Sequence, residues 1–502
     1  MRQFDGKGEK ALPVFAGCAG LVVLLFSRLH YAPKYLFFFD NANFAFALRR
    51  FDPALHQPQP PGYPMFVALL HAIDALVGEP NRALVTAGLA GSAVALALLW
   101  LWTDRMFGRS PAYMAAALLL LHPVFWLAGV ANPVRVFLAV VVTATGWAAW
   151  ETMTSAAPER AFYVAAATLG LTAGFRPETL ILLAPMLFTV GIYRKLRGRA
   201  MLIGLSILLG ATAVWLAPMA VRMGGFGPMF RVFADYVRAR SVEYTVAYGA
   251  SAKQSLTTIR RSLAWTLGMT VVWIWVLPLV WRRFRAFWDT PRVLLAFVAL
   301  LPAVLFHTLI HARDIDQTLI SIPVTCLVGG VALASIPSRK AMMTAALVAL
   351  IGSYWCFRRP FSPDMLGASG RAIRYVEEWT NSTYDALNRV KSEPGTILVW
   401  YDAVVPWRNV SYYYPDLPLL AISPQPPFWV RGFVSELPVT EADGTVDLPP
   451  STKHIVLGLS YIEASAAERR WPGARRVGPL ICLDVNGDER LQLGAVGLHV
   501  ER

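Results

Sequence analysis

Apolar runs of roughly 18–20 residues recur along this chain from its first segment to beyond position 350. A helix of that length crosses the hydrocarbon core of a bilayer. Water is absent there, so every backbone group must be bonded within the protein, and a chain with many such runs folds as a bundle of spanning helices. The composition agrees. Of 502 residues, 56% are hydrophobic and only 16% are charged, with a mean hydropathy of +0.47. A soluble protein carries about 25% charge. The net charge of +14, from 46 basic and 32 acidic residues, could point to nucleic acid or anionic lipid. In a polytopic chain the simpler source is Lys and Arg in cytoplasmic loops. No basic run is long enough to be a nucleic-acid arm, so no nucleic-acid partner is expected. Cys18, Cys326 and Cys356 fall in apolar segments and Cys482 stands alone, which implies no disulfide framework.

Loop charge sets the topology. The expected spans are 11–29, 83–103, 111–130, 134–150, 161–175, 178–193, 201–221, 263–281, 293–310, 317–335 and 341–357. Arg2, Lys7 and Lys10 precede the first. The loops TDRMFGR, YRKLRGR, WRRFR and PSRK then alternate with less basic turns. This pattern predicts about eleven transmembrane helices, with the N-terminus in the cytoplasm and the C-terminus outside. A long outer loop occupies 222–262. A cleavable signal peptide is the competing reading of the first span, but the small-residue site expected after it is missing.

The first outer loop, 30–82, has the contents of a reaction site. Asp40 closes the aromatic run Tyr35, Phe37, Phe38, Phe39 and opens a helix-like pattern with Phe44, Leu48 and Phe51 at i, i+4, i+7. Such a piece is expected to lie in the membrane interface with its apolar face down. Pro58, Pro60, Pro61 and Pro64 stiffen the return through Gly62 and Tyr63. GYPMFVALLHAIDALVG, which contains His71 and Asp74, reads as a re-entrant or interfacial helix.

After Arg359 the composition changes. Charges and prolines become frequent, and strand-like runs appear at 396–404, 454–459, 479–485 and 491–500, with helical spacing at 371–390. The expectation is a membrane module over 1–359 followed by an extracytoplasmic α/β domain over 360–502, of ordinary size for an independent domain. Asn381-Ser-Thr and Asn409-Val-Ser match the glycosylation sequon, a short pattern that arises readily by chance.

Ionisable residues at membrane level are costly and face a cavity or a partner. The predicted outer side gathers Asp40, Asp52, His56, Arg135, Arg176, Glu178, His311, Arg313, Asp314 and Asp316. Each has a plainer explanation beside a functional one. Asp40 could cap its helix, Arg176 could snorkel at a span end with Glu178 as its partner, and Arg313 could pair with Asp314 and Asp316. His56 and His71 could be hydrogen-bonded structural residues. Two histidines with Asp52 do not make a metal site. Sugar transfer from a lipid phosphate is the chemistry that uses a carboxylate and arginines together. A positioned Asp takes the acceptor's proton, and Arg stabilises the phosphate as it leaves.

Several motifs in this order resemble the GT-C fold membrane glycosyltransferases, the superfamily of protein O-mannosyltransferases and lipid A aminoarabinose transferases. They are Asp40 in the first outer loop, HQPQPPGYPMFVALLHA, WTDRMFGR, GLTAGFRPETLILLAP and ARDIDQTLISIP. The resemblance covers about 11–335. It implies a mostly α, polytopic enzyme that uses a polyprenyl-phosphate sugar without a metal or other cofactor. By carry-over, Asp40 is the catalytic base, and Arg176 and Arg313 contact the donor phosphate, with Glu178 and Arg135 in the same donor-binding set. His56, Pro61, Gly62 and Tyr63 shape the entrance. The chain departs from the pattern where many relatives carry an acidic residue in the second outer loop: here the turn reads VANPVR, with Asn132 and Arg135. It departs again where Asp314, not an aromatic, follows Arg313.

The implied partners are the lipid-linked donor, an acceptor protein, lipid or glycan, and membrane lipids. The implied location is a bacterial inner membrane with the C-terminal domain in the periplasm. Two other readings stand beside this one: a transporter or flippase of a lipid-linked glycan, and a non-catalytic scaffold whose outer domain binds a partner. The first of these often carries an internal repeat of broken helices, which the sequence does not display. The second leaves the outer Asp and Arg set unexplained.

Overall fold

The computed structural model describes residues 8–241, 249–310, 314–401, 403–422, 444–460, 464–465, 471, 473–485, 489–493 and 496–500. The chain divides into two compact units. One comprises 1–32, 63–230 and 240–373, and the other 33–62, 231–239 and 374–502.

The first unit is helical. Pro80–Phe107, Pro133–Thr154, Gly198–Arg222, Thr290–Leu309 and Arg339–Arg358 are each long and apolar enough to cross a membrane. Two further stretches are helix pairs bent at a break. Arg109–Leu120 meets Pro123–Ala131 at 57°, and Ala252–Val272 meets Ile274–Ala286 at 55°. Length and composition thus give five spans among the described residues, or up to seven if each bent pair is one. The eleven expected from hydropathy also include shorter helices, among them Thr179–Tyr193 and Ile322–Ala334. One expected span is shortened. Within 317–335, the first residues belong to a tight helical turn, Ile315–Ile320, and the α-helix starts only at Ile322.

Local chemistry explains the first break. Pro123 has no N–H to continue the ladder, which leaves carbonyls at the end of Arg109–Leu120 in need of a donor. Arg28, wholly buried, supplies one: its Nη2 donates to Leu120 O at 2.6 Å, and its guanidinium lies 4.6 Å from the Trp126 ring. Pro133–Thr154 is the most enclosed of these five helices, with 94% of its apolar window buried. A helix surrounded by protein needs no polar face, and its sequence shows no stripe. Close helix approach occurs where Gly88 meets Gly129. A Cβ on Gly88 would stand 2.5 Å from the Gly129 carbonyl oxygen.

The basic loops read as inner ones converge at one end of this unit. Arg105 pairs with Glu151 at 3.5 Å, Arg194 donates to Ser155 O at 3.0 Å, and Arg292 donates to Met106 O at 2.8 Å. The turns at 132, 176 and 314 meet elsewhere, as described below.

The second unit is built on two sheets. β1 (Thr396–Tyr401), β2 (Leu419–Ile422), β4 (His454–Leu459), β5 (Arg475–Val477) and β6 (Leu480–Asp484) form a five-stranded sheet in the order β2-β1-β4-β6-β5. β3 (Gly444–Leu448), β7 (Glu489–Leu493) and β8 (Val496–Val500) form a three-stranded sheet in the order β3-β8-β7. The segment 491–500, which reads as one strand in sequence, turns back on itself as β7 and β8.

Alternation along the strands splits the core in two. Ile397, Val399, Ile455 and Leu457 pack with Leu491, Leu498 and Val500 of the small sheet. Leu398, Trp400 and Val456 pack with Tyr384, Leu387 and Val390 of helix Gly370–Val390. The segment 33–62 clusters with this unit. The amphipathic piece expected in the membrane interface is a helix, Phe39–Arg49, but Asn41, Ala42, Asn43, Phe44, Ala45 and Ala47 are all buried, so its faces meet protein. The reason lies in aromatic pairing with helix Trp407–Tyr413: Phe39 on Trp407, with ring centroids 5.7 Å apart, and Phe46 on Tyr412 at 5.2 Å.

Candidate functional site

The residues singled out in sequence fall into two groups, one in each unit. In the helical unit, three turns bring a compact set of charges together. Arg135 opens the enclosed helix and is buried. Its Nη2 bonds Asp314 Oδ2 at 3.2 Å, and its Nε lies 3.4 Å from Asp316 Oδ1. Asn132 Nδ2 donates to Asp316 Oδ2 at 2.8 Å. The turn containing Asp314 and Asp316 is therefore tied to the turn at Asn132 and Arg135. Arg313 and His311 lie outside the described residues.

Burial dominates the chemistry of Asp316, whose side chain is 3% exposed. Desolvation pushes its carboxyl up to about 6. Arg135, the Asn132 hydrogen bond and Arg176 oppose that shift, and Asp314 adds to it. The folded value exceeds the unfolded 3.8, so the stability tied to this proton is fully present below pH 3.8 and is lost as pH rises through about 6. Asp316→Asn removes the proton and its pH dependence. The melting temperature of the unmodified protein, measured in detergent, should therefore fall relative to that of Asp316→Asn between about pH 4 and pH 6.5. Parallel curves for the two proteins would contradict the assignment.

Arg176 sits in the turn between helices Pro158–Thr172 and Thr179–Tyr193. It is 2% exposed, its Nη2 pairs with Glu178, and its guanidinium stacks 4.8 Å from the centre of the Tyr63 ring. Arg176 Nε and Nη1 are buried without a hydrogen-bond partner among the described residues. A buried guanidinium with unused donors is suited to an anionic oxygen such as that of a phosphate. Tyr63 itself is in the left-handed region, with φ 43°. Such strain in a non-glycine residue collects at functional positions. The expectation that Arg176 and Glu178 pair holds, and the pair leaves most of the arginine's capacity unused.

In the other unit, Asp40 is half-buried in the first turn of Phe39–Arg49. The residue before the helix is Phe38, with no side-chain cap bond, so Asp40 is not the cap that sequence allowed. Its charge there suits the positive end of the helix dipole. His56 is buried, has φ 56°, and its ring centroid lies 5.7 Å from that of Tyr236. Gly62 has φ 94°, a backbone that favours glycine. Asp52 pairs with Arg50 at 2.9 Å.

Sequence reading passed over two partners. Asn132 was noted only as a departure, and Arg408 received no comment. Arg408 is 2% exposed and donates from Nε to Asn43 Oδ1 at 3.1 Å. The surrounding aromatic residues carried the only sequence signal for it. Among the described residues, no three or more His, Cys, Asp or Glu side chains gather as a metal would need.

Residues 57–223 match the family model of dolichyl-phosphate-mannose-protein mannosyltransferases. No curated protein sequence matches the chain. Among solved structures, ArnT from Cupriavidus metallidurans bound to undecaprenyl phosphate superposes with a TM-score of 0.63 at 14% identity, over 94% of this chain and 97% of that one. Its apo form gives 0.63 at 14%, over 95% and 98%. The oligosaccharyltransferase of Archaeoglobus fulgidus gives a TM-score of 0.49 at 13% identity, over 88% of this chain and 67% of that one.

Proposed function

The chain has the fold of the GT-C membrane glycosyltransferases, and on that premise we propose that it transfers a sugar from a polyprenyl-phosphate carrier to an acceptor on the outer face of the membrane. The observation that carries the reading is the Arg176 guanidinium, buried with Nε and Nη1 unbonded among the described residues. Desolvated donors without partners are costly unless a ligand takes them. A lipid phosphate at the membrane surface supplies that ligand. The lipid in the ArnT structure is of this class.

In this reading the acceptor's hydroxyl or amine gives its proton to the Asp40 carboxylate as its O or N bonds the anomeric carbon. The bond from that carbon to the phosphate oxygen breaks, and polyprenyl phosphate leaves with one more negative charge. Arg176, Arg135 and Arg313 hold that charge, with Glu178 orienting Arg176. Tyr63, Gly62 and His56 line the entrance. No metal is assigned to the displacement, and whether the sugar is a hexose or a pentose depends on the donor.

The test is mass spectrometry of lipid that co-purifies, followed by incubation with undecaprenyl-phosphate mannose and undecaprenyl-phosphate aminoarabinose. Acceptor-dependent release of undecaprenyl phosphate is expected from one of them. Movement of an intact lipid-linked glycan between leaflets without release would establish a flippase instead.

The proposal also requires the outer turns to face outward. Reporter fusions after 109, 198, 285 and 339 should report cytoplasm, and fusions near 240 and after 365 the outer compartment. A cytoplasmic signal after 365 would place the Asp40 unit on the wrong side for this chemistry.

A further inference from the structure

We propose that Arg408, on the short helix that follows β1, is a positioning residue for Asp40, fixing the helix that carries the carboxylate through Asn43 and Phe46. The inference rests on the reading of Asp40 as the base, and it assigns a role to part of the C-terminal sequence that the proposed chemistry leaves unused.

The Asp40 helix is held on both sides of that residue. Four positions before it, the backbone of Leu36 is bonded twice: its N–H donates to the Tyr413 hydroxyl at 3.0 Å, and its carbonyl accepts from Asn409 Nδ2 at 2.7 Å. Three positions after it, Asn43 is wholly buried and accepts from Arg408 Nε at 3.1 Å. Residues three apart lie on one face of a helix, so Arg408 grips the face on which Asp40 stands. Asn43 then donates from Nδ2 to Gln59 Oε1 at 3.3 Å. The relay thus joins Arg408, the Asp40 helix and the HQPQPPGYP segment. The Arg408 guanidinium also lies 4.2 Å from the centre of the Phe46 ring, one further turn along.

Packing alone does not call for an arginine here. Burial disfavours the charged guanidinium and pulls its pKa down. An apolar side chain of similar volume commonly serves stability as well or better. What arginine adds is a planar fork that fixes direction, together with stacking on an aromatic ring. The Asn409 sequon has a related explanation. Asn409 is wholly buried and its amide is committed to Leu36, so it serves as an anchor.

The experiment uses the full chain in nanodiscs with the undecaprenyl-phosphate sugar that the unmodified protein turns over. Arg408→Gln should lower kcat by up to ~10²-fold, the scale of a misplacement of about 1 Å, while donor KM changes less than about twofold, since no phosphate contact is removed. Hydrogen exchange should quicken in 36–49 and stay slow in β1, β4 and β6. Asn43→Ala breaks the same relay without touching the C-terminal fold. It should give the same split, and the double variant should be no worse than either single one.

Unchanged kcat and unchanged exchange in 36–49 would overturn the inference, as would protection lost equally through the whole sheet. Asp40→Asn run in parallel separates the two claims. If it is inactive while Arg408→Gln is fully active, only the positioning role fails. If it is fully active, the base assignment fails.

Discussion

Asp40→Asn should yield a folded protein that retains donor lipid and turns it over ~10²–10⁴ times more slowly. The substitution keeps shape and removes the carboxylate's charge and with it the ability to take a proton. Asp40 lies in the first helical turn and is not the capping residue, so the fold loses no cap bond. It loses a charge at the positive end of the helix dipole, worth about 0.3–1 kcal/mol at an exposed site. Asp40→Ala should match Asn in activity. The check is release of undecaprenyl phosphate alongside thermal unfolding of each variant. Full activity in the Asn protein would move the search for a base to Asp52 and Asp314.

Arg176→Ala should weaken donor retention by ~10 to 100-fold, the loss of a charge-assisted hydrogen bond worth about 1.5–3 kcal/mol. The geometry strengthens the expectation. Arg176 is 2% exposed with Nε and Nη1 unbonded among the described residues, so a bound phosphate would take donors that meet nothing else there. Arg176→Lys keeps the charge but not the fork, and should fall between the two. Arg313→Ala is expected to behave as Arg176→Ala does. Binding of undecaprenyl phosphate by calorimetry in nanodiscs measures each. Unchanged affinity in folded Arg176→Ala would reduce this arginine to a partner for Glu178 and Tyr63.

Where the signal was local, sequence carried the argument. Long apolar runs placed Pro80–Phe107 and Pro133–Thr154, and loop charge grouped Arg105 with Arg194, which bond Glu151 and Ser155 of one and the same turn. It also set Arg135, Asp314 and Asp316 on one side, where they meet. Hydropathy did not show the bend at His122 and Pro123, because the two halves together read as one apolar run and the Arg28 that serves the break comes from a different helix.

The hydrogen bond from Asn132 to Asp316 joins positions 184 apart and has no periodicity to announce it. The same holds for the setting of Asp40. A pattern of Phe44, Leu48 and Phe51 reads as amphipathic, yet the helix is enclosed because aromatic residues near 407–413 cover it. Propensity fixes that a helix forms; contacts across the chain fix what surrounds it.

The bonds from 407–413 to the Asp40 segment span 365, 373 and 377 positions. A ribosome adds roughly 5–20 residues per second, so the Asp40 segment emerges tens of seconds before Arg408, Asn409 and Tyr413 exist. During that interval Asn43 lacks its arginine partner, and Phe39 and Phe46 lack the rings they pack on. If Asp40 is the base proposed above, its setting is completed late in synthesis. A chain interrupted before position 407 would lack all three bonds, and on the function proposed above it should be inert however complete its helical unit.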